Sequence, residues 1–313
     1  MIQYIIRRLL IMIPVLLGVT IVISSLVYIA PGNPARIALG QGANPEAVLA
    51  LERQMGLDQP PHIRYIEWLV NAAQGDLGTS VQSGRDVSAL IIERLPATLE
   101  LAAVAMVITL LLALPLGVVS AVNQYSWLDN TSMLFAIFWL SMPSFWLGLM
   151  LIYLFAVYWG IFPVSGRDGV LLSLTWWSFV LLPAIATGTR RAGLLTRLMR
   201  SSMLEVLNKE YIRTARGKGI GSRKVIMTHS VKNAMIPVVT LIGLQIPLIF
   251  SGTVIIEEVF SWPGMGRLLV SAVQQRDYPV VQGTVLVYSV IVLFSNLAVD
   301  IAYSYIDPRV SYD

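Results

Sequence analysis

The stretch EYIRTARGKGIGSRK, residues 210–224, decides how this chain is read. It is basic and punctuated by Gly217, Gly219 and Gly221, and it interrupts an otherwise very apolar sequence. Of the 313 residues, 56% are hydrophobic and 13% charged. Mean hydropathy is +0.71. A soluble domain carries about 25% charged residues. Six stretches reach the roughly 20 apolar residues that a helix needs to cross a bilayer. They lie at residues 9–30, 101–122, 133–158, 170–188, 235–256 and 280–303. The expected fold is therefore an all-α membrane protein with six transmembrane helices, because in lipid only a helix satisfies its own backbone within one segment.

Charge sets the expected orientation. Residues 190–232 carry eleven basic residues against Glu205 and Glu210, a local excess of nine in a chain whose net charge is +4. Lysine and arginine accumulate in cytoplasmic loops, so this insert and the N-terminus, with Arg7 and Arg8, are placed inside. Six helices then put the C-terminus inside as well. Residues 31–95, with seven acidic against five basic residues, fall outside, as does the loop 257–279. The turn 123–130 should be inside yet has no basic residue. The apolar run after Arg8 continues to Ala30 with no small-residue cleavage signal, which reads as a retained helix.

Residues 31–95 exceed an ordinary connection. Short helices are expected at 46–55 and 62–73, started by Pro45 and Pro61, with turns at Gly75, Gly78 and Gly84. The expected division is residues 1–30 for the tail and first helix, 31–95 for an external subdomain, 96–303 for a five-helix core, and 304–313 for a cytoplasmic tail. The core contains the insert at about 200–235.

Several chemistries are excluded. The chain has no cysteine and two histidines, His62 and His229, so no thiol chemistry and no metal site is expected. The run Gly217-Lys218-Gly219 lacks the spacing of a phosphate-binding loop, so any ATP and magnesium would be held by partner chains. The insert has no aromatic platform for nucleic acid, and none is expected as a partner. A basic contact with lipid headgroups is compatible with its charge.

Within the insert, Leu204, Leu207, Tyr211 and Ala215 follow helical spacing on one face, and Lys209, Arg213 and Arg216 on another. Glu205 stands four residues before Lys209, the favourable order for a helical ion pair. Glycines then end the helix, and 222–233 begins another. The insert is thus an amphipathic helix, a glycine turn and a return, a shape that suits docking to another protein or simply a solvated basic loop.

Elsewhere, Trp262 reads as an interfacial anchor in a turn, and Asp277 as a cap of the last helix. Asn296 and Asp300 share a face of that helix. Gln245, Ser141 and Ser144 could line a path, and Pro115, Pro143, Pro183 and Pro247 could kink their helices, but plain helix packing is the expected role of each.

A series of blocks carries a resemblance. They are GLDQP (56–60), GDLGTS (75–80), LPATLEL (95–101), YIRTARGKG (211–219), HSVKNAMIP (229–237), FSWPGMGR (260–267) and RDYPVVQ (276–282). In this order, across nearly the whole chain, they resemble the membrane permease subunits of ABC importers for dipeptides and oligopeptides, a group that also serves glutathione and nickel complexes. The resemblance implies the type I ABC importer transmembrane fold and a transport subunit that is not itself an enzyme. It implies four kinds of neighbour: a second homologous permease, two ATP-binding subunits, an external substrate-binding protein and lipid. It also implies an inner-membrane location. The insert would be a coupling loop, with Lys209, Glu210, Tyr211, Arg213, Thr214, Ala215, Arg216, Lys218 and Gly219 meeting the ATPase. Tyr211 and Ala215 would form its buried contact face. Trp262, Pro263, Gly264, Arg267, Asp277 and Tyr278 would lie near an external gate or binding-protein contact. Asp86 departs from the family, whose members often have proline before the Val87 position. The alternative class is an ion-coupled secondary transporter acting without an ATPase, which would show inverted repeats and broken helices around a midplane site.

Overall fold

A computed structural model describes residues 2–29, 34–40, 42–54 and 57–306. Ala30, residues 31–33, Met55, Gly56 of the GLDQP block and most of the expected 304–313 tail lie outside the described residues. The described chain is helical, with a single isolated β-bridge between Thr79 and Asp86.

Two compact units are present. The first joins Met1–Thr98 with Pro263–Leu297, and the second joins Leu99–Trp262 with Ala298–Asp313. Residues 31–95 are therefore grouped with the first helix and part of the last one.

In the first unit, α1 (Ile2–Ile29) is followed by α2 (Pro34–Leu39), α3 (Pro45–Gln54) and α4 (Pro61–Ala73). The three short helices each begin at a proline, whose fixed φ and missing N–H suit a first helical turn. Tyr65 of α4 and Thr20 of α1 share a hydrogen bond of 2.9 Å. A tight hairpin follows: Ser80 donates its N–H to Arg85 O at 2.9 Å, and Val87 to Gly78 O at 2.9 Å. The N–H of Asp86 takes no part in these bonds, so a residue without one would not disturb the hairpin. Then α5 (Val87–Val122) begins, and Leu77, Val87, Leu90 and Ile91 pack against Met265 and Ala272 of α12 (Met265–Gln275) and Val280 of α13 (Tyr278–Ile306).

In the second unit, the chain from Leu99 of α5 is joined by α6 (Trp127–Ser141) and α7 (Ser144–Leu151), the latter continuing as a π-wound stretch, Ile152–Tyr158. Next comes α8 (Leu174–Leu207), then α9 (Glu210–Gly217). A 38-residue helix from Ser222 to Val259 contains α10 (Ser222–Lys224), the π-wound Val225–Val231 and α11 (Lys232–Val259). Its core is built from Ala113, Ala192, Leu195, Met199, Met203, Ala234 and Val238. Small residues allow close approach: a Cβ on Gly193 would lie 2.4 Å from Ala136 O, and one on Gly188 2.6 Å from Ala105 O.

Among the described residues, four helices are apolar and long enough to span, and the α6–α7 pair passes the same test but bends by 104°. The expected third span is thus broken. Pro143 cannot donate a helical N–H and forces Met142 into extended backbone, φ −78° and ψ 131°. The expected fourth span, 170–188, also differs: α8 starts at Leu174 and runs unbroken to Leu207, carrying Arg190, Arg191, Arg197 and Arg200 within it.

Two ion-pair clusters show that the broken pair still traverses. At one end of α5, Glu100 accepts from Arg167 Nε at 2.9 Å, Arg167 Nη2 at 2.7 Å and Trp176 Nε1 at 3.0 Å. Twenty residues on, Ser120 donates to Asp129 Oδ1 at 2.5 Å. That separation is about 30 Å of helix, the thickness of a bilayer core. Between Asp129 and Arg167 the chain therefore runs the same length back through α6 and α7. At the Glu100 end, Gly166 also donates to Phe260 O at 2.9 Å, fixing the far end of α11 there.

Candidate functional site

The basic insert folds as two parts rather than one helix. α8 stops at Leu207, with Lys209 in extended backbone (φ −72°, ψ 147°), and α9 starts at Glu210. Leu204 and Leu207 therefore do not share a helix with Tyr211. The expected Glu205–Lys209 pair forms across the break, Nζ to Oε1 at 3.0 Å. Both side chains are mostly exposed. Such pairs contribute roughly 0.3–0.5 kcal/mol.

α9 has an inner and an outer face. Ile212, fully buried, and Ala215 pack on Val225, with Val206 and Ile220 alongside. Ala215 is covered by its own chain, and Tyr211 is 44% exposed, its hydroxyl accepting from Asn233 Nδ2 at 3.1 Å. Asn233 also donates to His229 O at 2.7 Å, so the HSVKNAMIP block backs the helix. The outer face presents Glu210, Arg213, Thr214, Arg216 and Lys218, all exposed. Arg213 Nη1 donates to Glu210 Oε1 at 3.0 Å.

The turn after α9 explains which of three glycines matters. Gly219 has φ +77° and donates to Arg216 O at 3.0 Å, while Ile220 donates to Ala215 O at 3.3 Å. These two bonds make a Schellman cap, in which the residue after the helix is left-handed and the next one packs back on the helix. Ile220 does so, against Ala215 and Val225. Nothing in the chain lies within 4 Å of a Cβ on Gly219.

The loop 260–267 is not an exposed anchor. Trp262 has 0% exposure, because the chain turns inward after α11. The turn is a second Schellman cap: Trp262 donates to Glu257 O at 2.8 Å and Ser261 to Glu258 O at 3.1 Å, with Ser261 at φ +50°. Of Trp262, Pro263, Gly264 and Arg267, only Arg267 is exposed.

Asp277 is buried, and its carboxylate does not cap α13. It accepts from Ser80 Oγ at 2.5 Å, Val81 N–H at 3.1 Å and Gln82 N–H at 3.3 Å. Gln82 Nε2 also donates to Gln275 O at 3.1 Å. The GDLGTS and RDYPVVQ blocks thus meet in one latch within the first unit. Hydrogen bonds to a charged group contribute about 1.5–3 kcal/mol each. Asp277→Ala is expected to ease local opening of the 78–86 hairpin by about 2 kcal/mol, read as faster proteolysis there than in the wild type.

The carboxylates of the two ion-pair clusters escaped sequence reading. Asp129 accepts from Arg200 Nε and Nη2, both at 2.7 Å, and from Tyr125 N–H at 2.9 Å. Arg200 is thus the cation absent from 123–130. At the opposite end, hydrogen bonding to Glu100 holds the Arg167 guanidinium above its ordinary pKa against the opposing pull of burial. The only sequence signal was Glu100 inside LPATLEL. Among the described residues, no group of acidic or histidine side chains could hold a metal.

Residues 113–312 match the family described as binding-protein-dependent transport system inner membrane component, and residues 1–102 match its N-terminal companion. The chain belongs to this family. Over its full length it is 43% identical to the dipeptide transport system permease protein DppB of Alkalihalophilus pseudofirmus, covering all of that protein. It is 40% identical to DppB of Escherichia coli K12, covering 99% of it, again with the whole of this chain aligned. Identity to the glutathione transport system permease protein GsiC of Salmonella choleraesuis is 39%, with both chains fully covered. Among solved structures, the MetNI methionine ABC transporter matches 70% of this chain and 96% of its own, with a TM-score of 0.58 at 15% identity. An amino acid ABC transporter with histidines matches 70% and 94%, with a TM-score of 0.54 at 14% identity. The fold is that of type I ABC importer transmembrane domains. The chain is a transport component and a multi-pass inner membrane protein.

Proposed function

We propose that this chain is the permease subunit of an ATP-driven importer that carries dipeptides or short oligopeptides. Full-length identity near 40% to dipeptide permeases carries this reading. The chain pairs with a homologous permease to form the path. Two ATP-binding subunits hold ATP and magnesium, and an external binding protein delivers the cargo. The N- and C-termini and α9 lie in the cytoplasm. Residues 31–95 and the latch at Asp277 lie outside, where Arg267 and the neighbourhood of Tyr278 face the binding protein.

α9 is the coupling helix. Its inner face is tied to the π-wound Val225–Val231 stretch through Ile212 and Ala215, and to α11 through Tyr211, so force applied to its outer face reaches the 222–259 helix. Lys209, Glu210, Arg213, Thr214, Arg216, Lys218 and Gly219 meet the ATPase groove, and Ala215 acts from behind as the joint. An ion-coupled carrier would also tolerate the α6–α7 break, but it is not favoured, because the full-length relatives near 40% identity are dipeptide transport system permeases. The reading is tested with photo-crosslinking residues in the assembled complex. Probes at Arg213 and Lys218 should capture the ATPase chain, and one at Ile212 should not. Capture by neither outer position would overturn the docking assignment.

A further inference from the structure

A charged, half-open pocket lies in the second unit, with no residue of α9 in its lining. It holds about 430 Å³ between α6, α7, α8 and α11, lined by Ser144, Thr187, Arg190, Arg191, Gln245 and Ser251 among others. No acidic side chain lines it. Arg191 lies fifteen residues after Trp176 and nine before Arg200, so about 22 Å and 14 Å of helix separate it from the two ion-pair clusters. It therefore sits at membrane depth, where a cation is costly and marks a functional site by default.

The guanidinium is held but not neutralised. Arg191 Nη1 donates to Thr187 O at 2.9 Å and Nη2 to Leu248 O at 2.6 Å. Its Nε is buried with no partner. A guanidinium has five N–H donors, so donors remain for a ligand. Gly252 makes the room: a Cβ there would lie 2.6 Å from Nη2. Arg190, exposed on the same cavity, adds a second positive charge. Two carbonyls fix the fork while its charge stays uncompensated, an arrangement that suits a planar carboxylate.

We propose that Arg191, assisted by Arg190, is a carboxylate-binding waypoint that receives the C-terminal carboxylate of a short peptide on its way through the permease. This deepens the peptide-import reading and rests on it. A waypoint must bind weakly enough to release cargo. One fork held by backbone carbonyls, without a second buried cation in contact, meets that need.

The test uses the complete transporter with its binding protein in phosphatidylcholine vesicles, which contain no anionic lipid to compete. ATP-driven uptake of dialanine and of its C-terminal amide is compared, with the binding protein's own affinity for each measured separately and divided out. Wild type should favour the free acid beyond the binding protein's preference. Arg191→Gln should lose at least tenfold on dialanine and erase that excess, with uptake of the amide unchanged. Arg191→Lys should keep part of it, and ATPase stimulation by loaded binding protein should persist in both variants. An unchanged acid-to-amide ratio in Arg191→Gln, or equal loss of both peptides, would overturn the proposal. If wild type moves neither peptide with ATP, the import reading itself fails, and this proposal with it.

Discussion

Gly219→Trp should cut ATP-driven uptake by at least about a hundredfold, equivalent to about 2.7 kcal/mol, while the protein still reaches the membrane in normal amount. Gly219 occupies the left-handed position of the α9 cap at φ +77°, which costs an L side chain about 1–2 kcal/mol. The chain itself leaves space at this position, so an indole there projects toward whatever docks on α9. Gly219→Ala carries the backbone strain with little bulk and should lose much less. Ala215→Trp acts from the opposite side. It would overfill the contact with Ile212 and Val225, at a cost of about 1–3 kcal/mol, and lift α9 from the π-wound Val225–Val231 stretch. ATP hydrolysis should become independent of loaded binding protein in both tryptophan variants. Normal uptake by Gly219→Trp at normal expression would contradict the coupling role.

The second large effect concerns stability. Asp129→Ala removes the partner of Arg200 and strands a guanidinium that now makes two 2.7 Å bonds beside a carboxylate with 3% exposure. Breaking a buried pair from one side costs about 3–5 kcal/mol, and the partial exposure of Arg200 puts this pair at the lower end of that range. The variant should unfold at lower temperature in detergent and accumulate poorly. Asp129→Ala combined with Arg200→Met should recover much of the loss, because the stranded charge is gone. No recovery in the double variant would show that the cost lies elsewhere, for example in the bonds from Ser120 and Tyr125 to the carboxylate.

Much of this architecture was legible in the amino-acid order. Apolar length placed four of the expected spans, but it read 133–158 as one unbroken span, with Pro143 at most a kink. Glycine spacing offered three candidates for the cap of α9; the family resemblance pointed to Gly219, and its φ of +77° agrees. Periodicity misread the insert in one respect. It joined Leu204 to Tyr211 in one helix because spacing alone carries no sign of the extended residue Lys209. Burial was harder still. Trp262 looked like an interfacial anchor, since tryptophan favours that level, and only the Schellman turn at Ser261 shows it directed inward. Asp277 looked like a helix cap from its place before α13, but its partners lie almost two hundred residues earlier. Separations of 71 and 67 residues likewise hid the Asp129–Arg200 and Glu100–Arg167 pairs. α8 failed as an apolar span because it carries the arginines used at Asp129 and in the inner cavity.

The measurement that bears most directly on the account is energy coupling in the purified assembly. The tagged chain is isolated from membranes with its partners and reconstituted. Peptide uptake is then followed with ATP and loaded binding protein, and separately with an ion gradient alone. The account predicts that ATPase chains co-purify, that loaded binding protein stimulates hydrolysis, and that uptake requires ATP. A chain that purifies alone and moves peptide on an ion gradient without ATP would contradict it, and would leave the basic insert as a topology signal only.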